Sequence, residues 1–193
     1  GGNAAILPLC GQKGSVAASY QKWSPDGVAS DNVNAGLAFG FGKVGLSAAF
    51  AYQGGSPYEI VDASTAAQGS FTPSDLLMGL GLGVGFAEHF GIGANFRFAS
   101  ETLAKDFINR TYAADFNFLY HLSGLNVSVG VVNLGTSVKD RAGNNFSLPS
   151  SARLTADYSF DVAEIASVEA GADFDDYFSG NVGVAAGVQA GLF

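Results

Sequence analysis

Charge is what this sequence has least of. Asp, Glu, Lys and Arg make up 13% of its 193 residues, against roughly a quarter in an average soluble domain. Nine Lys+Arg face 17 Asp+Glu, a formal net charge of −8, and without a basic face a sequence-independent nucleic-acid binder is excluded. Cys10 is the single cysteine, so neither a disulfide framework nor a multi-cysteine metal site can be built. Long hydrophobic runs are missing as well. A helical membrane span needs about 20 apolar residues, and the best candidate, residues 76–86, is far shorter and has glycine at every second position from Gly79. The chain opens Gly1-Gly2-Asn3, with no basic stretch or apolar run of a signal peptide, so this start reads as mature or truncated sequence. Leu9 precedes Cys10 where a lipidation site needs a small residue, which leaves Cys10 a buried or incidental thiol. Disorder is excluded by 48% hydrophobic residues at this low charge. Collagen is excluded because the 27 glycines follow no three-residue period.

What the chain has is alternation. Val44, Leu46, Ala48, Phe50 and Tyr52 take turns with Gly45, Ser47, Ala49, Ala51 and Gln53. Phe90, Ile92, Ala94, Phe96 and Phe98 are set against Gly91, Gly93, Asn95, Arg97 and Ala99. Tyr112, Phe116, Phe118 and Tyr120 oppose Ala113, Asp115, Asn117, Leu119 and His121, and Leu154, Tyr158 and Phe160 oppose Arg153, Thr155, Asp157 and Ser159. Successive side chains of a strand point to opposite faces, so each segment has one apolar face and one small or polar face. Weaker versions cover 16–23, 33–41, 125–134, 168–174 and 182–192. With 76–86 this predicts an all-β chain of about ten antiparallel strands, many near the 9–11 residues that cross a bilayer at a tilt.

Short connections at Gly42-Lys43, at Ala87-Glu88-His89 and around Leu122-Ser123-Gly124 are expected to alternate with long ones at 24–31, 54–75, 100–108 and 136–149. Short turns at one end and long loops at the other are the habit of transmembrane barrels. A soluble sandwich would carry Lys, Glu and Thr on its outer faces; here the second face is mostly Gly, Ala, Ser and Asn, which suits the lumen of a closed transmembrane β-barrel. Phe41 and Val44 flank a two-residue turn, Gly42-Lys43, of the kind that takes type II′ geometry. Gly40 to Gly45 therefore spells G-x-G-x-x-G in a hairpin, without the helix that a dinucleotide site needs. Gly79, Gly81, Gly83 and Gly85 form a small-residue face against which something packs closely.

No catalytic Ser/His/Asp set and no G-x-S-x-G occurs, and the chain is not expected to be an enzyme or to hold a cofactor or metal. His89 and His121 read as interfacial turn residues, and Tyr20, Trp23 and Tyr120 as parts of an aromatic girdle. Asp173 to Asp176 reads as a solvated strand end, with Ca²⁺ ligation as the alternative. Arg97, Asp115, Asn117, Arg153, Asp157, Glu169 and Asp173 share the inward parity of their strands. Arg97 is expected close to opposite Asp115, and Arg153 between Glu169 and Asp173. Enclosed charges are paired, so these are cross-braces or, alternatively, the lining of a substrate path.

Particular strings carry a family resemblance. Gly69-Ser70-Phe71-Thr72-Pro73-Ser74-Asp75, leading into the 76–86 strand, resembles a motif of the PorV/PorQ group of Bacteroidota outer-membrane proteins, which have the FadL-like barrel fold. Residues 133–139 and Ser147-Leu148-Pro149 are similar to two further strings of that group, in the same order. Residues 2–7 are similar to the segment near its plugging N-terminus, with Ala4 where Pro is usual. The resemblance implies one outer-membrane domain over 1–193 with a plug-like segment at 1–13. It also implies a barrel of 14 strands, of which about ten are visible, so that part of the barrel is expected outside this chain. The last residue, Phe193, is a common barrel terminus, but Gly191 stands where a further hydrophobic residue is usual. The implied role is in type IX secretion: a shuttle in the bacterial outer membrane whose partners are the lipid bilayer, secreted cargo proteins and other secretion components. FadL-like transport of hydrophobic small molecules and a soluble β-sandwich binding module are the alternatives.

Overall fold

The computed structural model describes residues 3–9, 13–25, 28–61, 67–105, 107–140, 142–162 and 165–192. Cys10 and Phe193 lie outside the described residues. Ten strands form one antiparallel sheet: β1 (Gly14–Trp23), β2 (Ser30–Phe41), β3 (Val44–Gly54), β6 (Ser74–Phe86), β7 (Phe90–Ala104), β8 (Phe107–Leu122), β9 (Leu125–Gly135), β12 (Ser151–Val162), β13 (Ala166–Tyr177) and β14 (Val182–Leu192). Each lies beside its predecessor in the order of an up-and-down barrel, with β1 and β14 as the two edges; among the described residues no pairing joins those edges. The four remaining strands make two small hairpins, β4 (Tyr58–Val61) with β5 (Ala67–Phe71), and β10 (Val138–Lys139) with β11 (Asn145–Phe146). Both hairpins lie in the two longest connections. A sandwich needs a second sheet against the apolar face, and these two-stranded hairpins are the only other sheets among the described residues.

The alternation appears in the structure as an inverted distribution of exposure. Among the described residues, buried apolar ones are few and mostly small: Ala4, Ala5, Ala113, Leu119 and Val132. Leu80 is 65% exposed, and Leu46, Phe50, Ile92, Phe96, Phe116, Val129, Leu154 and Tyr158 are exposed as well, all on one face. The face that carries Leu119 and Asp115 is the protected one. We term these the outer and inner faces.

The hairpins follow their local chemistry. Phe41 pairs with Val44 and Gly42 has φ 60° while Lys43 keeps a negative φ, the pattern of a type II′ turn. Phe86 pairs with Phe90 across Ala87-Glu88-His89. Leu122 pairs with Leu125 across Ser123 and Gly124, both at positive φ. At the opposite end the structure corrects one expectation. Most of 100–108 is strand, because β7 runs to Ala104 and β8 starts at Phe107 with an irregularity between Thr102 and Ala104; polar residues continue the ladder where alternation of apolar residues stops. The long segments 54–75 and 136–149 contain the β4–β5 and β10–β11 hairpins.

Outward aromatic rings meet across strands near both ends. Phe90 packs against Phe86, Phe118 and Tyr120 at 5.8, 5.7 and 5.2 Å beside the short turns. Tyr112 packs against Phe98 at 5.2 Å and Phe96 at 6.0 Å toward the loops. Tyr20 lies on the outer face near the loop end and donates to Asp31 Oδ1 at 2.6 Å, and the exposed Trp23 ends β1.

Candidate functional site on the inner face

Glycine shapes one half of the inner face. Gly45, Gly83, Gly91 and Gly93 lie side by side on β3, β6 and β7. A short 3-10 turn, Ala4–Ile6, rests in the trough they leave, with Asn3 as its cap: Asn3 Oδ1 accepts from Ala5 N–H at 3.0 Å. A methyl group on Gly83 would overlap the Ala4 carbonyl, and one on Gly91 or Gly93 the Ala5 backbone. On Gly45 it would overlap Leu7. What packs against the alternating glycines is thus the chain's own N-terminal segment, and Ala4 and Ala5 are buried by it.

The other half carries a polar network. Arg97 on β7 is paired with Ala113, and Asp115 lies diagonally beside it with a guanidinium–carboxylate distance of 2.6 Å. The β8–β9 ladder slips between Ala114 and Phe116, so that β9 carries an extra residue there. Asn133 sits in this bulge at φ 58°, a left-handed conformation that Asn tolerates better than most residues. The slip withdraws the Asn133 N–H from the ladder, and Asp115 Oδ1 accepts it at 2.7 Å. The Asn133 side chain accepts from Arg97 at 2.6 Å and donates to the Pro149 carbonyl at 3.2 Å. Ser150 Oγ donates to the Asn133 carbonyl at 2.6 Å. One buried carboxylate, 5% exposed, therefore ties β7, β8 and β9 together. Arg97 Nε and Asn95 Nδ2 are buried with no hydrogen-bond partner among the described residues.

The second pair differs from the sequence expectation. Arg153 is paired directly with Asp175 and donates to it at 2.8 Å, rather than lying between Glu169 and Asp173. The reason is register. β12 continues to Val162, which faces Ala166, and that shifts every opposite partner toward the C-terminal end of β13. Ser151 Oγ also donates to Asp175, at 2.7 Å. Asp173 takes the Thr155 hydroxyl at 2.6 Å, and Asp157 takes the Asn126 amide at 2.6 Å. Asn126 Oδ1 in turn lies 2.7 Å from His121 Nδ1. Glu169 lies opposite Ser159 and Gln189, exposed. Residues 173–176 are the end of β13 as expected, but solvated only in part: Asp173 and Asp175 point inward, Asp175 buried, while Asp176 is outward and exposed.

These groups line a polar cavity of about 460 Å³ that Arg97, Asn126, Arg153, Thr155, Asp157 and Asp173 share with Asn3 and Ile6 of the N-terminal segment. A second cavity, also about 460 Å³, lies on the other flank of that segment, against Ala17, Ala38, Ala49 and Leu77 with Ile6 and Leu7. Among the described residues no group of three or more His, Cys, Asp or Glu side chains is arranged to hold a metal.

The resemblance motif lies outside the inner-face network. Gly69, at φ 124°, Ser70 and Phe71 form the returning strand of the β4–β5 hairpin, where the Phe71 ring meets Tyr58 at 5.6 Å. The Pro73 carbonyl accepts from Gly55 N–H at 2.9 Å. Ser74 and Asp75 begin β6, where Asp75 faces Glu101 and Gln53.

Asn133, Ser151, Asn126 and Thr155 are inner-face residues that the charge pattern alone did not single out, and Asp175 was noticed only as part of the acidic run 173–176. Asn133 was visible as part of a resemblance string, but its bulge has no local signature.

Neither a family model nor a curated protein sequence matches this chain. Among solved structures it is similar to the translocator domain of the autotransporter NalP from Neisseria meningitidis, with a TM-score of 0.46 and 13% identity over 98% of this chain and 81% of that one.

Proposed function

We propose that this chain is a non-enzymatic outer-membrane β-barrel component of protein secretion, working as a PorV-like shuttle that binds secreted cargo and hands it to a surface attachment complex in type IX secretion. The observation that carries the membrane part is the inverted exposure: large apolar side chains stand outward on alternate positions while carboxylates and glycines are protected inside. In lipid that arrangement is the stable one, because hydrocarbon solvates the outer face and the ladder pairs the backbone of the strands between the edges β1 and β14. The secretion part is supported by the resemblance strings at 69–75, 133–139 and 147–149. The first runs from the returning strand of the β4–β5 hairpin into β6, the second ends in β10 and the third follows β11, both hairpins lying at the loop end of the sheet. These hairpins are the proposed cargo surface. Replacing each by a short Gly/Ser linker is expected to abolish cargo retention at the cell surface while the protein still assembles in the outer membrane. Retention unchanged after both replacements refutes the shuttle.

A second reading, FadL-like passage of hydrophobic small molecules, is favoured by one observation: the cavity beside Ile6 and Leu7 is lined largely by Ala and Leu. It predicts a stoichiometric apolar molecule in extracts of the purified protein by mass spectrometry, displaced when Ala49→Trp fills that space.

A further inference from the structure

The outermost strands of the sheet lack a neighbour. Among the described residues nothing pairs with the free edge of β1 or of β14. The four most exposed large apolar side chains, Val16, Val184, Val188 and Leu192, stand on these two strands, each exposed by three-quarters or more. In the membrane reading above, on which this inference rests, backbone N–H and C=O groups do not stay unpaired in hydrocarbon. The ladder fixes how the two edges stand to each other. Followed straight across the sheet, Gly14 of β1 leads by way of Leu46, Phe116 and Ala152 to Val182 of β14. Gly14 is the short-turn end of β1, and Val182 is the loop end of β14. Nine steps across, about 43 Å, therefore accumulate the stagger of a whole strand, about 33 Å. The strands are tilted by about 37° as a result, inside the range of roughly 35–45° that barrels have. Both flanks also bend toward one place: Ile6 shares a cavity with Ser15 and Ala17 of β1 and another with Asp173 of β13.

We propose that β1 and β14 pair with each other, antiparallel, and close the ten strands around the N-terminal segment. The stagger sets Leu192 level with Gly14, so the register runs from Gly14 opposite Leu192 to Trp23 opposite Gly183. Parity agrees. Val16, Ala18 and Tyr20 continue the outer face beside Ala190, Val188 and Ala186, whereas a slip of one residue sets outer side chains against inner ones. Size agrees as well. Trp23 meets Gly183, Tyr20 meets Ala186, Gln189 meets Ala17 and Leu192 meets Gly14, each time a large side chain opposite a small one. A slip of two sets Val16 against Leu192 and Tyr20 against Val188 instead. Closed at ten strands, the wall is narrower than the 14-stranded barrel that the resemblance implies. The bend that brings β1 and β13 to the same isoleucine favours this closure over further strands between the edges or a second copy on them. Pairing withdraws both edges from strand addition by a partner and leaves the loop-end hairpins as the surface for one.

The test is a cysteine pair in the full chain carrying Cys10→Ser, reconstituted at low density in phospholipid vesicles. On mild oxidation Ala18→Cys/Val188→Cys is expected to form a disulfide within one chain, read by mass spectrometry of the linked peptides. It is expected to form at least ten times faster than in Ala18→Cys/Gly187→Cys, whose side chains lie on opposite faces. Folding of each variant is read from its different gel mobility before and after boiling. A second measurement needs no variant: NOEs joining Ala18 to Val188 are expected in the detergent-solubilised chain. Links between two chains in place of links within one, equal rates for the two pairs, or absence of these NOEs overturns the proposal. Carbonate extraction keeps it apart from the membrane reading. Protein that stays in the vesicles unlinked refutes the closure alone, and protein that is stripped from them refutes both.

Discussion

Asp115 shows how one residue sets the stakes of the inner face. Its carboxylate receives the Arg97 guanidinium and the Asn133 backbone N–H on the same oxygen. Replacing it by Ala leaves an arginine without its counter-charge and an N–H already withdrawn from the ladder by the bulge. The expected loss is on the order of 2–3 kcal/mol, the value of a hydrogen-bonded charged group, and it is read from the urea midpoint of the refolded protein. Asp115→Asn retains an acceptor and is expected to lose less. Asn133→Ala is expected to destabilise too, through two lost side-chain bonds and a Cβ without a compensating polar group at φ 58°. Asp115 was recognisable as inward from parity, and its partner Arg97 from spacing. Asn133 was not, because a bulge is decided by the pairing of two strands and not by either one.

At the scale of an element, the β10–β11 hairpin is the informative case. Its tip is held by Asp140, whose carboxylate accepts from Asn144 N–H at 2.8 Å and from the Asn144 side chain at 2.7 Å. These bonds, the side-chain one foremost, hold the Asp140 carboxyl below its ordinary value. Because the folded group binds its proton less readily than the unfolded one, the turn is fully stabilised above the ordinary Asp value, about 3.9. That stabilisation is lost as the pH falls from there through the lowered one. Hydrogen exchange at the Asn144 amide is therefore expected to show constant protection between about pH 7 and 5 and opening under more acid conditions. Asp140→Asn is expected to remove the pH dependence. The hairpin itself was not foreseen within 136–149: strands this short have no alternation to read. The main strands were legible because ten or more residues repeat the same choice, and the correction at 100–108 falls where that repetition gives way to polar residues on both faces.

At the scale of the molecule, the outer face is where the proposed lipid environment is told apart from water. Leu80→Arg is expected to destabilise the protein by about 2–4 kcal/mol in a bilayer, the cost of a cation on the lipid face near mid-depth. The same change on a water-facing surface stays within about 0.5 kcal/mol. Urea unfolding in phospholipid vesicles distinguishes the two, and an unchanged midpoint rejects the membrane-facing assignment. The N-terminal segment belongs to this scale as well: the glycines of β3, β6 and β7 show that something lies close to the sheet, and only the folded chain shows that residues 3–9 do so.

Taken alone, the sequence determined the class, the faces and the short turns. Side-chain alternation is a property of the extended backbone itself, and turn residues such as Gly42 act within a few positions. Tertiary structure decided which charges meet, because partnership depends on register between strands. Extending β12 to Val162 was enough to give Arg153 to Asp175 and to leave Asp157 and Asp173 with neutral partners. The scarcity of charge is visible in composition; which carboxylate each guanidinium takes is visible only once the strands are paired.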